Sequence, residues 1–246
     1  MIDPDRLLAC LRRDAAALLE AVRAAGPDAP VPACPGWTAA DLAWHIGEVH
    51  EFWGTIVGDR LDDPDSYTQS PRPQTFDATV TFAETTAAAL LEALEITDTA
   101  TPVWTWASDS TVGFVLRRMA HETAVHRYDA ERTAGRTPHT IDAELASDGI
   151  DELLFEFLRW VDEGAATLAG SVHVHCTDVA GEWLVRDDGD GGYEVTREHA
   201  KGDAAIRGPA QDLLLALWRR APLDAVEVIG DRATAERLLA RTNLAG

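Results

Sequence analysis

Cysteine is scarce in this sequence. Its 246 residues include only Cys10, Cys34 and Cys176, which lie far apart. An odd number without paired spacing argues against a disulfide framework, and there is no Cys-x-x-Cys motif for zinc or redox chemistry. We therefore expect a protein of a reducing compartment, the cytoplasm.

Positive charge is also scarce. The chain has 21 basic residues against 42 acidic ones, which gives a net charge of −21. A surface of this sign repels nucleic-acid phosphates and anionic lipids, so neither nucleic acid nor a membrane surface is an expected partner. The acidic residues are dispersed among apolar ones, so the charge does not indicate a disordered tail.

Long hydrophobic runs are missing as well. No window approaches the roughly 20 apolar residues of a transmembrane helix. The N-terminal stretch MIDPDRLLACLRRD has no basic region followed by an apolar run, so no signal peptide is expected. Hydrophobic residues nevertheless make up 46% of the chain, enough for the cores of one large or two modest domains.

The first part of the sequence predicts four amphipathic helices. Apolar residues recur at helical spacing, and stretches rich in turn-forming residues separate the segments. Thr38 and Asp41 resemble a capping box at the start of the second helix. The predicted helices cover residues 5–25, 39–57, 76–95 and 111–134. Such a series is typical of an antiparallel four-helix bundle, whose interior is a usual place for a metal site.

The second half predicts a different architecture. After a helix at about 144–163, short alternating segments bounded by Gly and Asp indicate strands. The predicted strands are SVHVHCTD, EWLVRDD, GYEVTRE, DAAIRG and AVEVIGD, and the later predicted helices are PAQDLLLALWRR and RATAERLLART. The predicted fold class is α+β with two domains. A four-helix bundle would cover residues 1–142, and a smaller α/β domain that begins with the connecting helix would cover 143–246.

The segment MAHETAVHRYDAE at 119–131 concentrates side chains that bind metals. It misses the zinc-peptidase motif His-Glu-x-x-His by one position, because His126 comes five residues after His121. Residues four or seven apart share a helix face, so Glu122, His126 and Asp129 lie on one stripe and His121 points away. Two interpretations of the Glu122–His126 pair remain open: a plain hydrogen bond on a half-exposed face, or two ligands of a metal.

The second predicted helix adds a third candidate ligand. His45 lies at the edge of the inward face, whereas His50 leans to the opposite edge and is expected at the rim. With Glu122 and His126, His45 would supply two imidazoles and one carboxylate and leave a coordination position open, as in catalytic rather than structural zinc sites. Asp129, one turn after His126, would orient that ring.

His173 and His175 form a weaker candidate on one face of the first predicted strand. A pair at this spacing could bind a metal, but a solvated face opposite buried Val172, Val174 and Cys176 is the favoured interpretation. No serine or cysteine stands in a recognisable nucleophile motif.

Two stretches, CPGWTAADLAWHIGEVH and VWTWASDSTVGFVLRRMAHETAVHRYDAE, resemble the actinobacterial mycothiol-dependent maleylpyruvate isomerase family. The stretches SVHVHCTDVAGEWLV and AAIRGPAQDLLLALWRRAPLDAVEVIGD resemble that family's C-terminal domain, so the resemblance covers nearly the whole chain. It implies a DinB-like four-helix bundle followed by a domain of the sterol-carrier-like α/β type.

The resemblance also implies a site. A divalent metal, typically zinc, would be bound within the bundle. Its implied ligands are His45, Glu122 and His126. Asp129 corresponds to the family's aspartate three residues after the last ligand. An arginine of the C-terminal domain would help to hold an acidic substrate, and Arg220 is the implied match, or Arg219 if the alignment slips by one residue.

The activity that the resemblance implies is that of a mycothiol-dependent isomerase or thiol S-transferase. The metal would stabilise the thiolate of mycothiol for attack on a small electrophile such as a maleylpyruvate-like acid. The expected partners are these two small molecules, and the expected state is a monomer or weak homodimer. Two rival interpretations remain: a non-catalytic metal-containing binding or regulatory protein, and a structural Glu–His pair without metal.

Overall fold

The computed structural model describes residues 2–158, 167–189 and 192–242. The chain divides into two compact units, Ile2–His139 and Thr140–Gly246. Among the described helices, none has both the length and the apolar character needed to span a membrane.

Four α-helices make up the first unit. They are α1 (Pro4–Ala25), α2 (Ala39–Gly58), α3 (Phe76–Ile96) and α4 (Val112–Thr133). These bounds confirm the predicted helices to within one residue at each end. Helix α2 packs along α3, α1 packs along α4, and α2 also contacts α4. This last contact brings together the two helices that carry the predicted metal ligands.

A side-chain cap starts each of the four helices, and Asp3 caps α1. A threonine caps each of α2, α3 and α4, and its hydroxyl accepts a hydrogen bond from an N–H of the first turn. At α2 the Thr38 hydroxyl accepts from the Asp41 N–H at 3.3 Å, and the Asp41 carboxylate accepts from the Thr38 N–H at 2.9 Å. The predicted capping box is confirmed.

Replacing Thr38 with alanine should lower the free energy of unfolding by about 1 kcal/mol, because the Asp41 N–H loses its acceptor at the helix start. Urea unfolding followed by circular dichroism measures the change. Thr85→Ala is the matched control, since the exposed Thr85 hydroxyl donates to the Thr81 carbonyl inside α3. Such a bond does not stabilise a helix. Equal midpoints for wild type and Thr38→Ala would contradict the assigned cap.

Helices α2 and α3 approach closely at Gly47. A Cβ atom there would lie 2.8 Å from a ring carbon of Phe82 and 3.2 Å from the Ala83 Cα. Such distances are too short for van der Waals contact, so the packing requires glycine. The close approach limits the rotation of α2 about its axis and thereby sets the direction in which His45 points.

The second unit combines helices with one sheet. Its described helices are α5 (Ala143–Glu152), α6 (Ala210–Leu217) and α7 (Arg232–Arg241). Its described strands are β1 (Ser171–Cys176), β2 (Glu182–Asp187), β3 (Tyr193–Thr196), β4 (Ala204–Gly208) and β5 (Glu227–Gly230). A π-helical turn at Leu153–Phe157 continues α5. The predicted helix 144–163 is therefore confirmed as far as residue 157, and residues 159–163 lie outside the described residues.

The strand order in the sheet is β3-β2-β1-β4-β5, with β1 and β4 parallel and the other neighbours antiparallel. Helices α6 and α7 pack against β4, and α7 also packs against β1. The fold class is α+β, as the sequence predicts. The expectation of a solvated histidine face on β1 is wrong for His173, which is only 8% exposed and whose ring lies 5.3 Å from that of His199.

Candidate metal centre

The three side chains that are predicted from the sequence as metal ligands lie close together in the first unit. His45 comes from α2, and Glu122 and His126 come from successive turns of α4. The His45 Nε2 atom lies 3.1 Å from the Glu122 Oε1 atom, and the His126 Nε2 atom lies 3.2 Å from the same oxygen. The donor atoms of all three residues lie within 4.8 Å of one another. Two imidazoles from different helices thus converge on one carboxylate oxygen.

The cluster is enclosed unevenly. The His126 side chain is 7% exposed, whereas those of Glu122 and His45 are 15% and 22% exposed. The site therefore opens towards solvent on the side of His45. An opening of this kind would admit a small molecule to a bound metal, as a catalytic site requires.

Glu122 divides its two oxygens between different partners. Oε2 accepts a short hydrogen bond from a guanidinium nitrogen of Arg118, one turn earlier on α4, and Oε1 remains for the imidazoles. Burial raises the pKa of Glu122, but the charges of Arg118 and His126 outweigh this and hold the pKa well below its usual value. The carboxylate is therefore ionised at neutral pH, the form that binds a metal.

His126 is oriented by Asp129. Its Nδ1–H donates to Asp129 Oδ2 at 3.0 Å, so Nε2 points to the cluster. Burial lowers the pKa of His126, but the Glu122 carboxylate and the hydrogen bond to Asp129 raise it to about 9, so without a metal the ring also carries a proton on Nε2, which a bound metal would displace. A carboxylate on the far nitrogen is the usual partner of a metal-bound histidine, because it sets the tautomer and the ring direction. The donor set therefore fits a divalent metal ion.

Sequence reasoning missed two neighbours of the cluster. The ring of Trp37 lies 4.9 Å from that of His45 and 6.4 Å from that of His126, and so forms one wall of the site. The signal for Trp37 in the sequence was its position in the turn just before the Thr38 cap, because that turn lies beside the start of α2, the helix that carries His45. Cys34 is the other, since its donor atom lies within 4.8 Å of those of His126 and Asp129.

His50, the other histidine of α2, does not belong to the ligand group. His50 is only 1% exposed, so the expectation of a rim position is wrong. Its Nε2 atom lies 3.0 Å from the Thr123 hydroxyl of α4. Burial lowers the pKa of His50 to about 4, so the ring is neutral at physiological pH. The crossing of α2 over α4 covers His50 and leaves His45 at the opening.

Arg219 and Arg220 follow α6 in the second unit. Both line a cavity of about 620 Å³ together with residues of the turn after α6 and of α7. Arg219 is exposed, has a φ of 62°, and donates from Nη1 to the Leu239 carbonyl at 2.9 Å. Arg220 is half-buried and donates from Nη1 to the Trp218 carbonyl at 2.9 Å.

Two family models match the chain. The one described as the mycothiol maleylpyruvate isomerase N-terminal domain matches residues 8–131, and the one described as the MDMPI C-terminal domain matches residues 144–237. No curated protein matches the sequence.

Two solved structures share the fold. One is described as the mycothiol-dependent maleylpyruvate isomerase and has 14% sequence identity and a TM-score of 0.61. The other is a histidine-to-alanine mutant of the mycothiol-dependent maleylpyruvate isomerase, with 13% identity and a TM-score of 0.62. Each match covers 92% of this chain and 93% of the other. At these identities the likeness shows the fold alone.

Proposed function

We propose a function from the premise that the chain belongs to the mycothiol maleylpyruvate isomerase family, whose two domain models match residues 8–131 and 144–237. The protein is a metal-dependent enzyme that uses the thiol of mycothiol to attack a small electrophile, and it isomerises a maleylpyruvate-like acid from cis to trans. One observation carries this proposal: imidazole nitrogens of α2 and α4 converge on a single oxygen of Glu122.

Zn2+ suits the donor set of His45, Glu122 and His126. Two neutral imidazoles and one carboxylate are typical zinc ligands, and three protein ligands leave a position open for a thiol. When bound there, the ion supplies the positive charge that lowers the pKa of that thiol and favours the thiolate at neutral pH.

The chain's own residues prepare this position. Arg118 holds Oε2 of Glu122, so the carboxylate presents Oε1 alone to the cluster. Asp129 holds a proton on His126 Nδ1, so a metal that displaces the second proton would meet the lone pair of Nε2 directed inwards. The indole of Trp37 covers the two imidazole rings and excludes water from that side.

Arg220 is the proposed partner of a substrate carboxylate. A guanidinium can hold a carboxylate through two parallel hydrogen bonds and so fix its orientation. Arg220 is half-buried against its cavity, where such a bond is screened less than at the exposed Arg219.

The proposed isomerisation needs no oxidant, and it regenerates mycothiol. Addition of the thiolate sulfur to the conjugated C=C bond forms a C–S bond, moves the π electron pair onto the conjugated carbonyl oxygen as an enolate, and leaves a C–C single bond about which the acid can rotate. Collapse of the enolate then breaks the C–S bond, restores the double bond in the trans form and returns the thiolate. Release of the adduct before elimination would instead give S-transfer.

Incubation of the zinc-loaded protein with mycothiol and maleylpyruvate tests the proposal. We expect the trans isomer to form in proportion to enzyme, detected by ultraviolet absorbance and chromatography, and to be absent when mycothiol is omitted. Stable thiol adducts in a panel of other electrophiles would identify an S-transferase. A fully metal-loaded protein that yields neither isomer nor adduct would contradict the enzymatic proposal and favour a binding protein.

A further inference from the structure

A second group of metal-binding side chains lies on the sheet of the second unit. His173 and His175 are two residues apart on β1 and point to the same face, and Glu182 at the start of β2 is the register partner of His175. His199 follows β3 and reaches over the same face. The donor atoms of the four side chains lie within 4.8 Å of one another. We name this group the sheet cluster.

The sheet cluster is arranged around one carboxylate. The His175 Nδ1 atom lies 2.8 Å from Glu182 Oε1, and the His199 Nδ1 atom lies 2.6 Å from Glu182 Oε2. The Nε2 atom of His173 lies 3.5 Å from the same Oε2. Three imidazoles thus turn a nitrogen towards a single glutamate.

Ordinary packing does not account for His173. Its Nε2 atom is buried and makes no hydrogen bond, although the side chain is aimed into the cluster. A buried polar atom that makes no hydrogen bond is unfavourable, and a metal ion bound to this nitrogen would satisfy it.

We propose that the second unit binds a divalent transition-metal cation through His173, His175, Glu182 and His199. Three imidazole nitrogens and one carboxylate oxygen suit Zn2+, Cu2+ or Ni2+, whereas Mg2+ and Ca2+ prefer oxygen ligands. Four protein ligands complete a tetrahedral site without an open position, which is the arrangement of a structural metal. A cation next to the site would oppose metal binding. The one in register with His175, Arg207 on β4, is paired with the carboxylate of Glu227 at 3.2 Å.

The ligands can contract to metal distance. Zinc–ligand bonds of about 2.0–2.2 Å place tetrahedral donor atoms roughly 3.3 Å apart. The two β1 histidines and Glu182 are positioned by the strand pairing, so His199 makes the larger adjustment. Its side chain is 81% exposed and can adjust without disturbing a core.

The backbone supports the position of His199. Three residues later, a Cβ atom at Gly202 would lie 2.9 Å from the His173 N atom and 3.0 Å from the Ser171 carbonyl oxygen. The segment after His199 therefore packs directly on the backbone of β1, which glycine alone permits. A metal in the sheet cluster would tie this segment to β1 and β2.

The test compares bound zinc in wild type and in the double variant His175→Ala/His199→Ala. Each protein is saturated with Zn2+, dialysed, and measured by mass spectrometry of the metal. We expect the double variant to bind one equivalent fewer than wild type. His139→Ala is the matched control, because His139 is exposed and lies beside Glu131 in the first unit. It should retain the wild-type stoichiometry.

Glu122→Ala separates the sheet cluster from the bundle site. That variant should still bind one equivalent of zinc. When Co2+ replaces the zinc, its absorption spectrum should be typical of tetrahedral coordination. Adding His175→Ala/His199→Ala to Glu122→Ala should remove this remaining metal. Equal zinc in wild type and the double variant would overturn the proposal, as would loss of all metal from folded Glu122→Ala protein. If the double variant loses one equivalent of zinc as expected and the wild-type protein shows no isomerase activity, the metal site stands and only the proposed function is refuted.

Discussion

Replacing Glu122 with alanine should remove one equivalent of bound metal per chain and abolish the thiol-dependent reaction. Glu122 Oε1 is the atom on which His45 and His126 converge, and its charge is the negative charge that the cluster offers to a cation. Loss of a residue that is hydrogen-bonded to a metal ligand typically weakens metal binding by about 10–100-fold, so loss of the ligand itself should weaken metal binding by more. Mass spectrometry of the metal and the isomerisation assay measure the two effects.

Glu92→Ala is the matched control for Glu122. Glu92 is exposed and lies on α3, which contributes none of the three ligands. It should retain metal and activity. Circular dichroism must show a folded Glu122→Ala protein, since Arg118 loses its ion-pair partner. Unchanged metal content in that folded variant would mean that the ligand assignment is wrong, and a metal-free wild type would favour a plain Glu–His hydrogen bond.

Replacing Arg127 with alanine should lower the free energy of unfolding by about 3–5 kcal/mol. Arg127 is 1% exposed and lies between two buried carboxylates, with Nε at 3.1 Å from Asp14 Oδ1 and Nη1 at 2.6 Å from Glu131 Oε2. Nη1 also donates to the His139 carbonyl at 2.9 Å. Without the guanidinium, Asp14 keeps only Arg13 on its own helix and Glu131 keeps only His139, so each buried carboxylate loses its buried cation. The expected loss is a large share of a typical stability of about 5–15 kcal/mol.

Urea unfolding of Arg127→Ala beside Arg132→Ala measures this effect. Arg132 lies on the same helix but is exposed, with its guanidinium carbon 6.0 Å from the centre of the Tyr128 ring. Its removal should change stability by about 0.5 kcal/mol or less. The double variant Asp14→Ala/Arg127→Ala should lose less than the sum of the single variants, because the Asp14–Arg127 ion pair is lost only once. Additive losses would show that Asp14 and Arg127 do not interact.

The helices of the bundle could be predicted because their signals are local. Thr38 and Asp41 cap α2 through bonds that span three residues, and Gly26 ends α1 with a φ of 81°. Glu122 and His126 share a face because four residues make about one turn. Each of these features depends on a few consecutive residues, so the sequence alone carries it.

The relative exposure of the α2 histidines could not be predicted in this way. His45 and His50 both lie near the inward face, yet the first opens to solvent beside Glu122 and the second is buried against Thr123. The difference follows from the rotation of α2, which its close packing on α3 at Gly47 limits. Helix rotation is a property of packed pairs, and no spacing rule within one helix contains it.

By itself, the sequence determined the helices and strands, the capping box of α2, the absence of a disulfide framework, and the common face of Glu122 and His126. Only the tertiary structure decided that His45 meets Glu122 across 77 residues of chain, that Arg127 lies buried between Asp14 and Glu131, and that His199 joins His173. The physical reason is range. Backbone propensities and caps act over about one helical turn, whereas helix crossing and strand register come from packing between distant segments.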